Sequence, residues 1–139
     1  MTNLKITNVA DVEHVAQGVR SPDQVRSVTI EALVDTGATM LVLPAEVVAA
    51  VGLRHKSTTR KAKMADGSIV AVPWVTGVLI EILGREMSCD ALVMPAGSTA
   101  LIGQIPLEGL DLVVDAKSRG VHVNPASPDS PLLDLLRAS

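Results

Sequence analysis

The chain has 139 residues, enough for one domain, since a chain of this size buries roughly two-thirds of its unfolded surface. Twelve Lys and Arg against fifteen Asp and Glu leave a net charge of −3, so no global basic field draws it to nucleic acid or to acidic membranes. Trp74 is the sole aromatic residue, which removes the stacking platforms that hold single strands, and a lone Cys89 excludes both a disulfide framework and a multi-cysteine metal site.

Twenty Val, seven Ile and nine Thr make about a quarter of the chain β-branched, and Gly, Pro and Asp-Gly punctuate short apolar runs. This pattern predicts a mainly β domain with one or two short helices. Residues 1–24 form an N-terminal segment, within which 3–20 are ambiguous: Leu4, Ile6 and Val9 suit an edge strand, while Asp11 to Gln17 suit a helical turn or a loop. Ser21-Pro22-Asp23 marks a turn. Val25 to Val34 reads as a strand, with Val28, Ile30 and Ala32 alternating against Ser27, Thr29 and Glu31, and it runs into Asp35-Thr36-Gly37.

Met40 to Leu43 predicts a short strand, and Ala45 to Val51 a helix with Pro44 at its first position, Glu46 in its first turn and Gly52 as its stop. Arg54 to Lys63 reads as a solvated basic face. Lys61 to Val72 folds about Asp66-Gly67, the signal for a two-residue hairpin turn. Val75 to Leu83 and Met87 to Met94 predict strands flanking Gly84, and Ala100 to Gly103 is a compact apolar run. Pro106 to Leu110 suits a short helix, with a last hairpin over Lys117 to Gly120. The tail 125–139, rich in Pro, Ser and Leu, predicts a mobile segment or one that docks on a partner subunit.

The longest nearly apolar stretch, Met40 to Leu53, is broken by Pro44 and Glu46 and is shorter than the roughly 20 residues of a membrane span. No secretory signal pattern opens the sequence, so the expected compartment is the cytoplasm. His14, His55 and His122 lie far apart and form no metal-ligand spacing, Cys89 sits in a β-run as a small hydrophobe, and no serine occupies a nucleophile elbow. Asp35 remains. A carboxylate placed where Ala32, Leu33 and Val34 meet a turn lies in low dielectric, which favours its neutral form; Thr36 can bond neighbouring backbone and Gly37 admits a second main chain.

The flanks of this triplet carry a resemblance. Ala32-Leu33-Val34-Asp35-Thr36-Gly37-Ala38-Thr39 resembles the active-site loop of the retropepsin-like aspartic proteases. Leu43-Pro44 and the short helix follow in order, and Met64-Ala65-Asp66-Gly67-Ser68 stands where that family has its flap hairpin. Val78 to Gly84 resembles the strand after the flap, and Ala100-Leu101-Ile102-Gly103 the hydrophobic-hydrophobic-Gly motif before the C-terminal helix. The likeness spans about residues 25–124.

It implies a retropepsin-like acid-protease fold, a closed or partly open β-barrel with a flap hairpin and one lobe per chain. It implies aspartic endopeptidase activity with no metal or organic cofactor, on extended and largely apolar peptide or protein segments. Asp35, Thr36 and Gly37 become the expected catalytic loop, and Ala38, Met64, Ala65, Asp66, Gly67, Ser68, Ile69 and Ile102 the expected substrate contacts, with Val42 a further pocket candidate. Only one Asp-Thr-Gly is present, so competence implies a homodimer whose two Asp35 carboxylates share one proton. Ala38 stands where pepsin-like enzymes usually carry Ser, which implies activity nearer neutral pH. Trp74, beyond the flap, reads as core packing. The alternative is a silent peptide-binding or dimerisation module on the same fold. A nucleic-acid contact at Arg54 to Lys63 is disfavoured by the overall charge.

Overall fold

The first strand of the chain closes the barrel that the later strands build. The structure is a computed structural model that describes residues 1–118 and 120–133. Its elements begin with β1 (Thr2–Asn8), α1 (Val9–Ala16), a 3-10 turn (Pro22–Gln24), β2 (Ser27–Val34), β3 (Leu41–Pro44), α2 (Ala45–Val51) and β4 (Arg54–His55). They continue with β5 (Arg60–Lys63), β6 (Ile69–Val72), β7 (Trp74–Ile82), β8 (Arg85–Met94), β9 (Leu101–Ile102), α3 (Gln104–Gly109), β10 (Leu112–Val114) and β11 (Val121–Val123). Strand neighbours run β1-β2-β9-β3-β8-β7, and β1 pairs in turn with β7, so six strands form a closed barrel. The fold is mainly β, with an aliphatic core in which Leu4, Ile6, Leu41, Leu43, Ile80, Ile82 and Ile102 are fully buried.

Sequence pattern suggested an edge strand at Leu4 and Ile6. In the structure β1 has a partner on each side, pairing Leu4 with Ile30 of β2 and Ile6 with Ile80 of β7. Both pairings are antiparallel and join distant parts of the chain, which a period-2 pattern cannot reveal. The ambiguous stretch after it is helical, because Asn8 accepts the Asp11 N–H at the helix start while its amide donates to the Val51 and Gly52 carbonyls.

Asp11 locks this corner. Its carboxylate is buried and accepts from Arg26 Nε at 2.9 Å, Arg26 Nη2 at 3.0 Å, the Arg26 backbone N–H at 3.0 Å and Arg20 Nη1 at 3.1 Å. The Arg26 hydrogen bonds hold its pKa down at about 2, against 3.8 ordinarily. A folded-state pKa below the unfolded one contributes stability that is full above the unfolded value and lost as pH falls through the folded one. Acid titration of the wild type, followed by circular dichroism, is therefore expected to lose this contribution between about pH 4 and pH 2. Arg26→Met leaves the buried carboxylate only Arg20 and the backbone N–H of residue 26, so its melting temperature at pH 7 should fall by several degrees and depend less on pH in that window. An unchanged acid profile would contradict the assignment.

Helix α2 spans the expected residues, but Pro44 caps it from the end of β3 rather than opening it. Gly52 ends it at φ +66°, a backbone conformation that favours glycine, and a Cβ there would lie 2.0 Å from Arg26 Nη1, so a larger residue would also displace the guanidinium that holds Asp11. Two hairpins also differ from expectation. Between β5 and β6 the Met64 N–H donates to Ser68 O and the Gly67 N–H to Met64 O, giving a three-residue loop with Gly67 at φ +87° instead of a two-residue turn. The two-residue turn instead joins β7 to β8, where Leu83 and Gly84 have φ of +53° and +80° and Ile82 pairs with Arg85.

The C-terminal segment folds back on its own chain as far as it is described. Buried Arg85 donates to the Leu110 and Asp111 carbonyls at 3.1 and 2.9 Å and to Ser127 O. Asp111 accepts from Ser127 Oγ, from Asn124 Nδ2 at 3.0 Å and from the Leu132 N–H at 3.0 Å, bonds that hold its carboxyl down at about 2. Leu132 and Leu133 stay exposed, and Leu135 and Leu136, part of the same expected tail, lie outside the described residues.

Candidate active site

Strand β2 delivers Asp35 from the barrel wall into a loop at its end. β9 runs parallel to β2 on one side, pairing Val34 with Ile102, and antiparallel to β3 on the other, pairing Leu101 with Val42. This two-residue strand, wedged between the strands before and after the loop, clamps it. The Leu33 N–H donates to Ala100 O at 2.9 Å and the Asp35 N–H to Ile102 O at 3.0 Å. Beyond the loop, the Gln104 and Ile105 N–H groups donate to the Ala38 and Thr39 carbonyls, both at 2.9 Å. Gln104 Nε2 also donates to Thr36 O at 2.9 Å. Sequence reasoning missed Gln104; its only signal is its place directly after the Ile102-Gly103 pair.

The side chain of Asp35 is half-buried, while Thr36 and Gly37 are exposed. The Gly37 N–H donates to Asp35 Oδ1 at 2.9 Å, and the Ala38 N–H to Asp35 O at 3.1 Å. A Cβ on Gly37 would sit 3.2 Å from Oδ1, so glycine lets the main chain curl around the carboxylate without crowding it. One carboxylate oxygen is thus fixed by backbone, and the acid stands at an open surface. Such a group can accept a proton from water or donate one to a bound carbonyl.

The expected substrate contacts divide. Ala38 belongs to the Asp35 loop. Met64, Ala65, Asp66, Gly67, Ser68 and Ile69 belong to the β5–β6 hairpin, a two-stranded sheet separate from the barrel, where Ile69 is 67% exposed. Within it Asp66 accepts from the Ser68 N–H at 2.9 Å and Oγ at 2.6 Å; these bonds lower its pKa and leave it a turn-forming residue. Ile102 is a correction. Its side chain is fully buried in the core, and only its carbonyl serves the site, by holding Asp35. Val42 is likewise buried in the barrel.

Trp74 also differs from expectation. It does not fill the core but lies half-buried at the hairpin base, with Arg60 Cζ 4.0 Å and Lys56 Nζ 5.6 Å from its ring centroid. Cys89 is no nucleophile, since burial, with Asp90 beside it, pushes its thiol up to about 12. Among the described residues no three His, Cys, Asp or Glu side chains gather as a metal-ligand set, and no helix is long and apolar enough to cross a membrane.

A closed barrel with an Asp-Thr-Gly loop clamped by β9 and a hairpin standing off the wall defines the retropepsin-like aspartyl-protease fold. A family model described as "gag-polyprotein putative aspartyl protease" matches residues 23–108, and the chain belongs to that family. The match takes in the loop, the hairpin and β9, while β1 and α1 precede it. No curated protein matches the chain.

Proposed function

We propose that this protein is a homodimeric aspartic endopeptidase whose two Asp35 carboxylates activate a water against the carbonyl of an extended, largely apolar peptide. The observation that carries the reading is the Asp35 loop itself: one acid per chain, fixed through Gly37 and Ile102, in a member of an aspartyl-protease family. Two carboxylates brought together across a two-fold axis cannot both ionise cheaply, so the pair holds one proton. The ionised member takes a proton from water, whose oxygen attacks the peptide carbon, while the protonated member gives its proton to the carbonyl oxygen. Collapse of the tetrahedral intermediate breaks the C–N bond as the amine takes up a proton. Carboxylates and water suffice, so the reaction uses no cofactor.

Dimer formation is supported by exposed apolar side chains beside the loop. A groove of about 550 Å³ of mixed character has Thr36, Gln104, Glu108 and Asp111 in its lining together with Ile105, Leu132 and Leu133, and the last three are exposed. A second copy covering this face would bring its own Asp35 loop near the first and give Thr36 a partner. The β5–β6 hairpin would cover the peptide and bond its backbone in strand form.

Solution mass measured beside the hydrolysis of an apolar fluorogenic peptide by wild type and Asp35→Asn tests the reading. A strict monomer inert to peptides would support the silent module instead. Ala38 adds a finer expectation: it offers no hydroxyl to the acid pair, whereas Ala38→Ser would stabilise the ionised pair and move the pH–rate optimum acidward. An unmoved profile would count against that account.

A further inference from the structure

The ten residues Arg54 to Lys63 carry five of the chain's twelve Lys and Arg and no acid. All five cations are exposed, and among the described residues none forms a salt bridge. Five like charges this close repel one another, which favours binding of a counter-charge. Arg60 stands apart because it is already held. Its guanidinium lies 4.0 Å over Trp74, Lys56 approaches the same ring at 5.6 Å, and Trp74 Nε1–H donates to Thr58 Oγ1 at 3.2 Å.

This arrangement fixes the position of a cation without using its hydrogen bonds. An arginine resting on an indole gives up part of its side-chain freedom before any ligand arrives, while its N–H donors remain available for two-pronged contact with a carboxylate. Among the described residues Arg60 donates no side-chain hydrogen bond. It sits opposite Val72 at the base of the hairpin, and Lys61 and Lys63 continue the positive strip along β5.

We propose that Arg60, laid over Trp74 beside Lys56, receives a carboxylate of the peptide substrate, so that the site selects apolar segments flanked by an acidic residue. This rests on the peptidase reading of the hairpin as the element that covers substrate. Two probe peptides separate the possibilities: an apolar segment flanked by Glu, and the same segment flanked by Gln. Binding is measured by calorimetry on the Asp35→Asn protein, which removes turnover from the measurement.

At low salt the Glu peptide should bind about fivefold tighter than its Gln twin, with the difference shrinking as salt rises. Arg60→Ala and Trp74→Leu should each bring the two peptides to equal affinity, and Arg60→Lys should restore only part of the difference. Equal binding to the Asp35→Asn protein, or selectivity that survives Arg60→Ala, overturns the proposal. An oligothymidine of equal charge that binds tighter than the Glu peptide also overturns it, by assigning the strip to nucleic acid. Selective binding with no hydrolysis of either peptide by the wild type would overturn the peptidase reading alone and leave the carboxylate receptor standing.

Discussion

Asp35→Asn is expected to lower peptide hydrolysis at least about a thousandfold, the scale of losing a positioned acid and base, while leaving fold and solution mass unchanged. The substitution is close to isosteric. An Asn Oδ1 can still accept the Gly37 N–H that meets Asp35 Oδ1 at 2.9 Å, and the backbone bond from residue 35 to Ile102 O is untouched. What disappears is the capacity to hold and release a proton. A mixing experiment makes the same variant report on symmetry. If the site needs one Asp35 from each of two copies, an equal mixture of wild type and variant, allowed to exchange subunits, should retain about a quarter of the activity when mixed pairs are inert. A site complete within one chain would retain about half. Hydrolysis that persists in the pure variant would place the activity on other residues.

The parts of this architecture legible in the sequence are those set by local chemistry. α2 was readable because Glu46 suits a helix start and Gly52 can adopt the left-handed stop at φ +66°. The Asp35 loop was readable from three apolar residues running into Asp-Thr-Gly. What could not be read depends on partners distant in sequence. β1 resembles an edge strand until β7, more than seventy residues on, supplies its second neighbour. Asp11 looks like a helix surface residue until Arg20 and Arg26 close over it.

The turns make the same point from the opposite side. Asp66-Gly67 carries the stronger local signal for a two-residue turn, yet Met64 and Ser68 pair across a three-residue loop. Leu83 takes φ +53°, a conformation its side chain disfavours, because unbroken pairing of β7 with β8 from Val78 and Cys89 up to Ile82 and Arg85 leaves only two residues to reverse the chain. Trp74 was misplaced because its neighbours Lys56 and Arg60 are charged residues, and only their approach to the ring shows that a half-buried surface position suits it. Ile102 was misassigned for a related reason: sequence puts it near the site, but the site uses its carbonyl and the core uses its side chain.

Gly103→Ala should be severely damaging, because the added methyl meets main chain on every near side. A Cβ at this position would lie 2.5 Å from Met40 O, 2.7 Å from Ala38 O and 2.8 Å from Thr39 C, all of them backbone atoms that no rotamer change can move aside. Those carbonyls are in use, since Ala38 O accepts the Gln104 N–H and Thr39 O the Ile105 N–H. Relieving the clash means pushing β9 away from the loop between β2 and β3, which lengthens the bond from the Asp35 N–H to Ile102 O. The expected cost is about 3 kcal/mol in urea unfolding, at the upper end for overpacking because backbone rather than side chain must yield. Activity should fall further than the unfolded fraction explains, because the same shift misplaces Asp35. Gly120→Ala is the control, since its added methyl would meet nothing closer than Ser118 Oγ at 3.4 Å. If Gly103→Ala matched that control in both stability and turnover, the apolar pair and glycine would be a packing detail of the barrel, and the clamp that links β9 to the acid would have to be abandoned.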